Sequence, residues 1–343
     1  METNKILQGH ALDVLRTLPN ESIDCIMTSP PYWALRDYGL GKDQLGLEPT
    51  FDLYVKHLCD IFDETKRTLK KSGTCWVNIG DTYAGSMQGY GAKENSKTGF
   101  QKAPVNTGYN ASSRMKPPNA KAIYHEDLRY EGRGKTKEVP SKSLCLIPFR
   151  FAIQMVNRGW ILRNTIIWHK PNCMPSSIKD RFTVDFEYLF FFVKNKKYYF
   201  EVQYEPHLSS SKERGKYGLS KASAFDYSKR ERSKWKENSI QHRGIKNPDW
   251  LNPLGRNKRT VWTITTHGFP GAHFATYPEE LCEIPIKAGC PQDGIVLDPF
   301  FGSGTTGLVA LKQNKKFIGI ELNPEYIKIA KERLKPYLEQ MKL

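Results

Sequence analysis

Ile295-Val-Leu-Asp298-Pro-Phe-Phe-Gly302-Ser-Gly304-Thr-Thr-Gly307 is the stretch on which the fold turns. Ile295 to Asp298 reads as a short buried strand, Phe300 to Thr306 as a glycine turn and Gly307 to Lys312 as a helix. Phe317 to Glu321 follows as a second strand, and Asn323-Pro324 caps and starts a last helix ending near Leu338. The three glycines have the G-x-G-x-x-G spacing between strand and helix, and Glu321 lies 23 residues beyond Asp298 (321 − 298). Such a turn lets a ligand approach the backbone at a helix amino terminus, while an acid at the next strand tip can accept from ribose hydroxyls. Only 36 residues follow Gly307 (343 − 307), too few to complete a sheet downstream. The remaining strands must come from upstream. The order is therefore permuted relative to a dinucleotide-binding chain that begins with its glycine turn, and the fold class is α/β with a doubly wound, mostly parallel sheet.

Working upstream, Ile23 to Met27 is a buried strand ended by Pro30-Pro31, and Phe51 to Leu69 has helical apolar spacing. Gly73 is expected to stop that helix before a strand at Thr74 to Ile79. Leu146 to Asn157 reads as a helix and Ile161 to Trp168 as a strand. Phe186 to Val193 and Tyr198 to Val202 read as a hairpin turning at 194–197, and Thr276-Tyr-Pro-Glu279 as a capping box opening a helix through about Lys287.

The charge is unevenly placed. Lys and Arg total 52 against 36 Asp and Glu, a net of +16 that favours an anionic partner. Residues 85–145 hold 11 basic against 5 acidic residues, and residues 209–260 hold 14 against 5, so two segments carry nearly all of the excess. Both are rich in Gly, Ser, Asn and Pro, with aromatics interleaved at Tyr109, Tyr124, Tyr130, Tyr217, Phe225, Tyr227 and Trp235. They read as basic insertions on a neutral scaffold, suited to phosphate contact and base stacking.

Thr28-Ser29-Pro30-Pro31-Tyr32-Trp33 ends the first central strand, where open parallel sheets bind ligands. The prolines fix the backbone so that the Ser29 hydroxyl and the Pro30 carbonyl can face one amino group, while Tyr32 offers a stacking surface. An exocyclic base amine is a poor nucleophile because its lone pair is delocalised. Two acceptors on its hydrogens help it rehybridise as it attacks.

With both motifs on one chain, the sequence resembles the amino-methylating, S-adenosyl-L-methionine-dependent DNA methyltransferases in the permuted arrangement called the beta class. The resemblance also covers Gly9 to Leu15, Gly73 to Asp81, Trp168-His-Lys-Pro-Asn172, His273 to Pro278 and Ile318 to Asn323. It implies a Rossmann-like methyltransferase fold with residues 1–180 as the catalytic half, 181–262 as the target-recognition region and 263–343 as the cofactor half. By resemblance, Ser29, Pro30, Pro31 and Tyr32 are catalytic, with Pro31 and Trp33 shaping the pocket. Asp298, Phe300, Gly302, Ser303, Gly304, Thr305, Thr306 and Asn323 hold the cofactor, and Glu321 its ribose. Asp13 accepts from the cofactor's adenine, and Phe274 and Thr276 line the opposite side of that pocket. Ser29 stands where adenine-N6 enzymes commonly carry Asp, which favours cytosine N4 and leaves adenine N6 as the alternative.

The implied partner is double-stranded DNA, with a cognate restriction endonuclease, an RNA or protein substrate, an inactive nucleic-acid-binding module, and the choice of monomer or homodimer left open. No metal is called for, and His169, His267 and His273 read as ordinary histidines. The amino terminus lacks a secretory pattern and no apolar run of membrane-spanning length occurs, so a cytoplasmic protein is expected. Seven scattered cysteines without a Cys-x-x-Cys pair read as reduced structural residues. Neither Cys173 nor Cys290 sits in the motif that a C5-cytosine nucleophile needs.

Overall fold

A computed structural model describes residues 1–33, 44–84, 139–208, 252–266 and 277–340. Strands β1 (Lys5–Gln8), β2 (Ile23–Thr28), β3 (Leu69–Ile79), β4 (Ile161–His169), β5 (Phe186–Val193), β8 (Val261–Thr263), β9 (Ile295–Asp298) and β10 (Lys316–Glu321) form one sheet. Two further short strands, β6 (Tyr204–Glu205) and β7 (Arg256–Asn257), pair apart from it. The sheet order is β1-β10-β9-β2-β3-β5-β4-β8, parallel throughout except that β5 runs antiparallel to β3 and β4. The first strand thus pairs with the last, Lys5 opposite Ile318 and Gln8 opposite Glu321. The glycine-turn strand β9 lies beside β2 at the centre.

Among the described residues six helices cover the two faces: α1 (Ala11–Thr17), α2 (Phe51–Thr68), α3 (Ile147–Asn157), α4 (Glu279–Gly289), α5 (Thr305–Lys312) and α6 (Pro324–Gln340). Strand alternation sorts the core into two layers. Cys75, Val77, Ile79, Phe190 and Phe192 pack with Leu15, Phe62 and Phe151 of α1, α2 and α3. Trp76, Leu189, Phe191 and Val193 face the layer holding Leu281, Leu308 and Leu334 of α4, α5 and α6. Strands buried on both faces read as continuous apolar runs, which is how β2 and β5 read.

Three expectations differ from the structure. Gly73 does not stop α2; the helix ends because Leu69 turns extended while its N–H still bonds Thr65, and β3 starts at that residue. Gly73 sits inside β3, where a Cβ would meet the Leu69 side chain at 2.5 Å. Tyr198 to Val202 is not a strand, because β5 already has β3 and β4 on its two edges. That segment instead sets the rings of Tyr198 and Phe200 against Phe191, at 5.8 and 5.7 Å between centroids. Helix α4 starts at Glu279 with Pro278 as its N-cap, two residues later than the expected start, and Glu279 pairs with Lys312 and Arg333; Thr276 lies outside the described residues. Finally, β1, α1 and β8 had no clear sequence signal, being only four, seven and three residues long.

The chain divides into two compact units, Met1–Glu201 with Thr260–Leu343, and Val202–Arg259. In the second, Glu205 of β6 is paired by Arg256 at 2.8 Å and Arg259 at 2.7 Å. This unit falls within the expected recognition region of 181–262, while residues 186–193 of that region are β5 of the main sheet. Most of the two basic segments, at 85–138 and 209–251, lies outside the described residues, as do Phe274 and Thr276.

Candidate active site

β2 and β9 are neighbours, so the Ser29–Tyr32 loop and the Asp298–Gly304 turn leave the sheet side by side. On the first of these, the Tyr54 hydroxyl of α2 donates to the Pro31 carbonyl at 2.8 Å, anchoring the loop. Trp33 is buried behind the loop, its Nε1 donating to Glu48 O at 2.9 Å; it supports the pocket and is not part of its wall. The Tyr32 ring lies against Gly80, where a Cβ would approach it to 2.7 Å.

Three polar residues that the sequence reading did not single out complete this half. Asn78, near the end of β3, places Oδ1 at 3.3 Å from Ser29 Oγ and 3.1 Å from the Tyr32 hydroxyl, while its Nδ2 donates to Tyr188 O at 3.1 Å. Tyr32 donates to Glu187 Oε2 at 2.7 Å, and Lys170 Nζ donates to Glu187 Oε1. Burial, reinforced by the Glu187 carboxylate, holds the Tyr32 hydroxyl well above its usual pKa, so it stays protonated and donating.

On the cofactor side, Asp298 is fully buried and does not line the cavity. Oδ1 accepts from Thr28 Oγ1 at 2.6 Å and Phe300 N at 3.0 Å; Oδ2 accepts from Thr306 Oγ1 at 2.7 Å and the Tyr277 hydroxyl at 3.0 Å. It thus ties the ends of β2 and β9 to the start of α5. Burial raises its pKa against the pull of these bonds. Gly302 and Gly304 adopt φ of +51° and +82°, the left-handed region that favours glycine. Phe301 fills a slot between Gly307 and Gly319, stacked on Phe317 at 5.4 Å. Glu321 Oε2 accepts from Gly302 N and Oε1 from Asn323 N, both at 2.8 Å, and burial raises its pKa. Asn323 caps α6 by accepting from Glu325 N at 2.9 Å. Arg333 of α6, a residue the motif did not reveal, donates to Thr305 Oγ1 at 2.8 Å and reaches Ser303 Oγ at 3.4 Å.

Both halves open into one cavity of about 330 Å³. Its wall includes Ser29, Pro30, Pro31 and Tyr32 together with Phe300, Gly302, Ser303, Thr305 and Glu321. Gly304, Thr306 and Asn323 stand behind that wall. Asp13 is not brought to the cavity: its side chain is 71% exposed on α1, where it pairs with Arg16, and the neighbours Gly9, His10 and Ala11 line the cavity instead. Among the described residues no group of three His, Cys, Asp or Glu is placed to hold a metal ion, and no helix is long and apolar enough to cross a membrane. Cys290 is buried and its thiol pKa raised, the opposite of an activated nucleophile.

A permuted α/β sheet whose central strands bring a Ser-Pro-Pro-Tyr loop and a glycine turn into one cavity has the architecture of a nucleotide-cofactor-dependent enzyme. A DNA methylase family model of the N6/N4 type matches residues 23–332. Type II methyltransferase M.Cfr9I of Citrobacter freundii is 38% identical over 96% of this chain and 87% of its own length. M.SmaI of Serratia marcescens is 36% identical over 96% and 90%. Among solved structures, the cytosine-N4-specific PvuII DNA methyltransferase superposes with a TM-score of 0.56 at 19% identity, covering 97% of this chain and 86% of that one. A DNA modification methylase from Thermus thermophilus, in complex with S-adenosyl-L-methionine, gives 0.53 at 20% identity, covering 97% and 93%. The chain belongs to the N6/N4 DNA methylase family and is a DNA methyltransferase that uses S-adenosyl-L-methionine.

The residues present fit that cofactor. The cavity is within the range of small-ligand sites, roughly 300–1,000 Å³. Glu321 sits at a strand tip as an acceptor for hydroxyls, Phe300 offers an aromatic wall, and the Gly302 turn leaves the backbone approachable. When bound, the cofactor supplies a methyl group carried on a sulfonium.

Proposed function

We propose that the protein is a site-specific, type II DNA methyltransferase acting in the cytoplasm on the exocyclic N4 of a cytosine turned out of the duplex. The observation that carries this reading is the neutral Ser29 hydroxyl in one cavity with the Pro30 carbonyl, Tyr32 and Lys170. Ser29 Oγ and Pro30 O accept the two amine hydrogens, which draws the nitrogen lone pair out of conjugation. Tyr32 takes the place of the lost stacking neighbour. Lys170 has three donors, of which one serves Glu187. On the Watson–Crick edge a cytosine offers two acceptors, N3 and O2, beside its amine where an adenine offers N1 alone, so a cation facing that edge favours cytosine.

The similarity to type II relatives supports a cognate endonuclease as partner. The basic segments, by their charge, supply the phosphate contacts. The test is incubation with labelled cofactor and unmethylated genomic DNA, digestion to nucleosides and mass analysis. Label in N4-methylcytosine is expected; label in N6-methyladenine would overturn the choice of base.

A further inference from the structure

Ser29, Asn78, Tyr32, Glu187 and Lys170 form one continuous line of polar contacts across four segments of the chain. Strand direction explains the assembly. β2, β3 and β4 point their carboxyl ends to the cavity edge of the sheet, and the antiparallel β5 brings its amino end there. Glu187 is therefore opposite Trp168 in the β4–β5 ladder, next to Lys170 just beyond β4. The side chains of Lys170 and Glu187 are each only 19% exposed, and Lys170 Nζ also lies 4.7 Å from the Trp168 ring centre. The Tyr32 ring has Gly80 on one side, and Glu187 makes the shorter of the two contacts that hold its hydroxyl, 2.7 Å against 3.1 Å to Asn78.

We propose that Glu187, clamped by Lys170, is a positioning residue for methyl transfer: it holds the Tyr32 hydroxyl and thereby sets the face on which the target base stacks. Glu187 acts through Tyr32 and not on the reacting atoms. Its effect appears in turnover and leaves cofactor binding alone. The inference needs only amine methylation of DNA, and total label transferred is the readout whichever base accepts it, so its failure is separable from that of the cytosine reading.

The experiment is a double-mutant cycle with Glu187→Leu and Tyr32→Phe, measuring kcat, KM for DNA and cofactor affinity. Glu187→Leu is expected to lower kcat about a hundredfold, as misplacement of a stacking surface does. Cofactor affinity stays within about twofold, as for independent sites. Glu187→Gln keeps an oxygen that accepts from Tyr32 and is expected to remain within about tenfold of wild-type kcat, the worth of one charge-assisted hydrogen bond. In the Tyr32→Phe background, Glu187→Leu is expected to cost almost nothing more. Should Glu187→Leu not fold, Glu187→Met carries the same cycle. Full multiplication of the two losses, or cofactor affinity falling in step with kcat, would overturn the proposal.

Discussion

Gly319→Ala probes the packing that holds the glycine turn. A Cβ at Gly319 would sit 2.3, 2.4 and 2.6 Å from Phe301 Cγ, Cδ2 and Cδ1. The ring is closely packed, lying against Gly307 and stacked on Phe317 at 8° between planes. Overpacking of this kind costs about 1–3 kcal/mol, sometimes more. Replacing Gly in an unstrained strand would by itself gain about 0.4–1 kcal/mol through the unfolded chain, so the clash decides the sign. The net loss is expected to lower the thermal midpoint by about 2–4 °C per kcal/mol. Phe301 leads directly into Gly302, so the shift reaches the turn and weakens cofactor binding. The assay is urea unfolding together with calorimetric titration of S-adenosyl-L-methionine, for Gly319→Ala, Phe301→Leu and the pair. Because the two side chains compete for one space, the pair is expected to be better than the sum of the singles by about 0.5–3 kcal/mol. An alanine variant with wild-type midpoint and affinity, or strict additivity, would refute this account of the slot.

Two further outcomes follow from the carboxylates of the turn. Asp298→Ala strips the acceptor from four donors; Tyr277 and Thr306 can turn to each other, leaving Thr28 and the Phe300 N–H unpaired. At about 1–3 kcal/mol for each unsatisfied group, the urea midpoint should fall by an amount worth about 2–6 kcal/mol, and a loss under 1 kcal/mol would contradict the hub role. Glu321 has a folded pKa raised above 4.5, so its contribution to stability is complete below that value and is lost as pH rises through the folded pKa. Cofactor affinity has the opposite sense, since hydroxyls are accepted best by the carboxylate. It should weaken as pH drops from 7 toward 5 in the wild type and stay flat in Glu321→Gln, and parallel curves for the two would sink that assignment.

The two motifs were legible because each is local: strand, glycine turn and helix are contiguous from Ile295 to Lys312, and Ser29 to Tyr32 is one loop. Their meeting in one cavity follows from parallel β2 and β9, neighbours that only the sheet topology reveals. What stayed hidden depends on distant partners. Asn78 meets Tyr32 across 46 positions and Glu187 meets it across 155, with no spacing to mark either. The resemblance implies a cofactor role for Asp298, and the hydroxyls of Thr28, Tyr277 and Thr306 around it, all distant in sequence or across the turn, show that it also braces the two strand ends. Tyr198 to Val202 alternates like a strand, yet β5 has no free edge to receive it.

The central claim is that the Ser29–Tyr32 loop and the Gly302–Glu321 turn serve one reaction from one cavity, the first handling the amine and the second the cofactor. Cofactor affinity and methyl transfer to DNA, measured side by side on Tyr32→Ala, test it most directly. The account predicts wild-type affinity for S-adenosyl-L-methionine with transfer to DNA all but abolished. Transfer at the wild-type rate would contradict it.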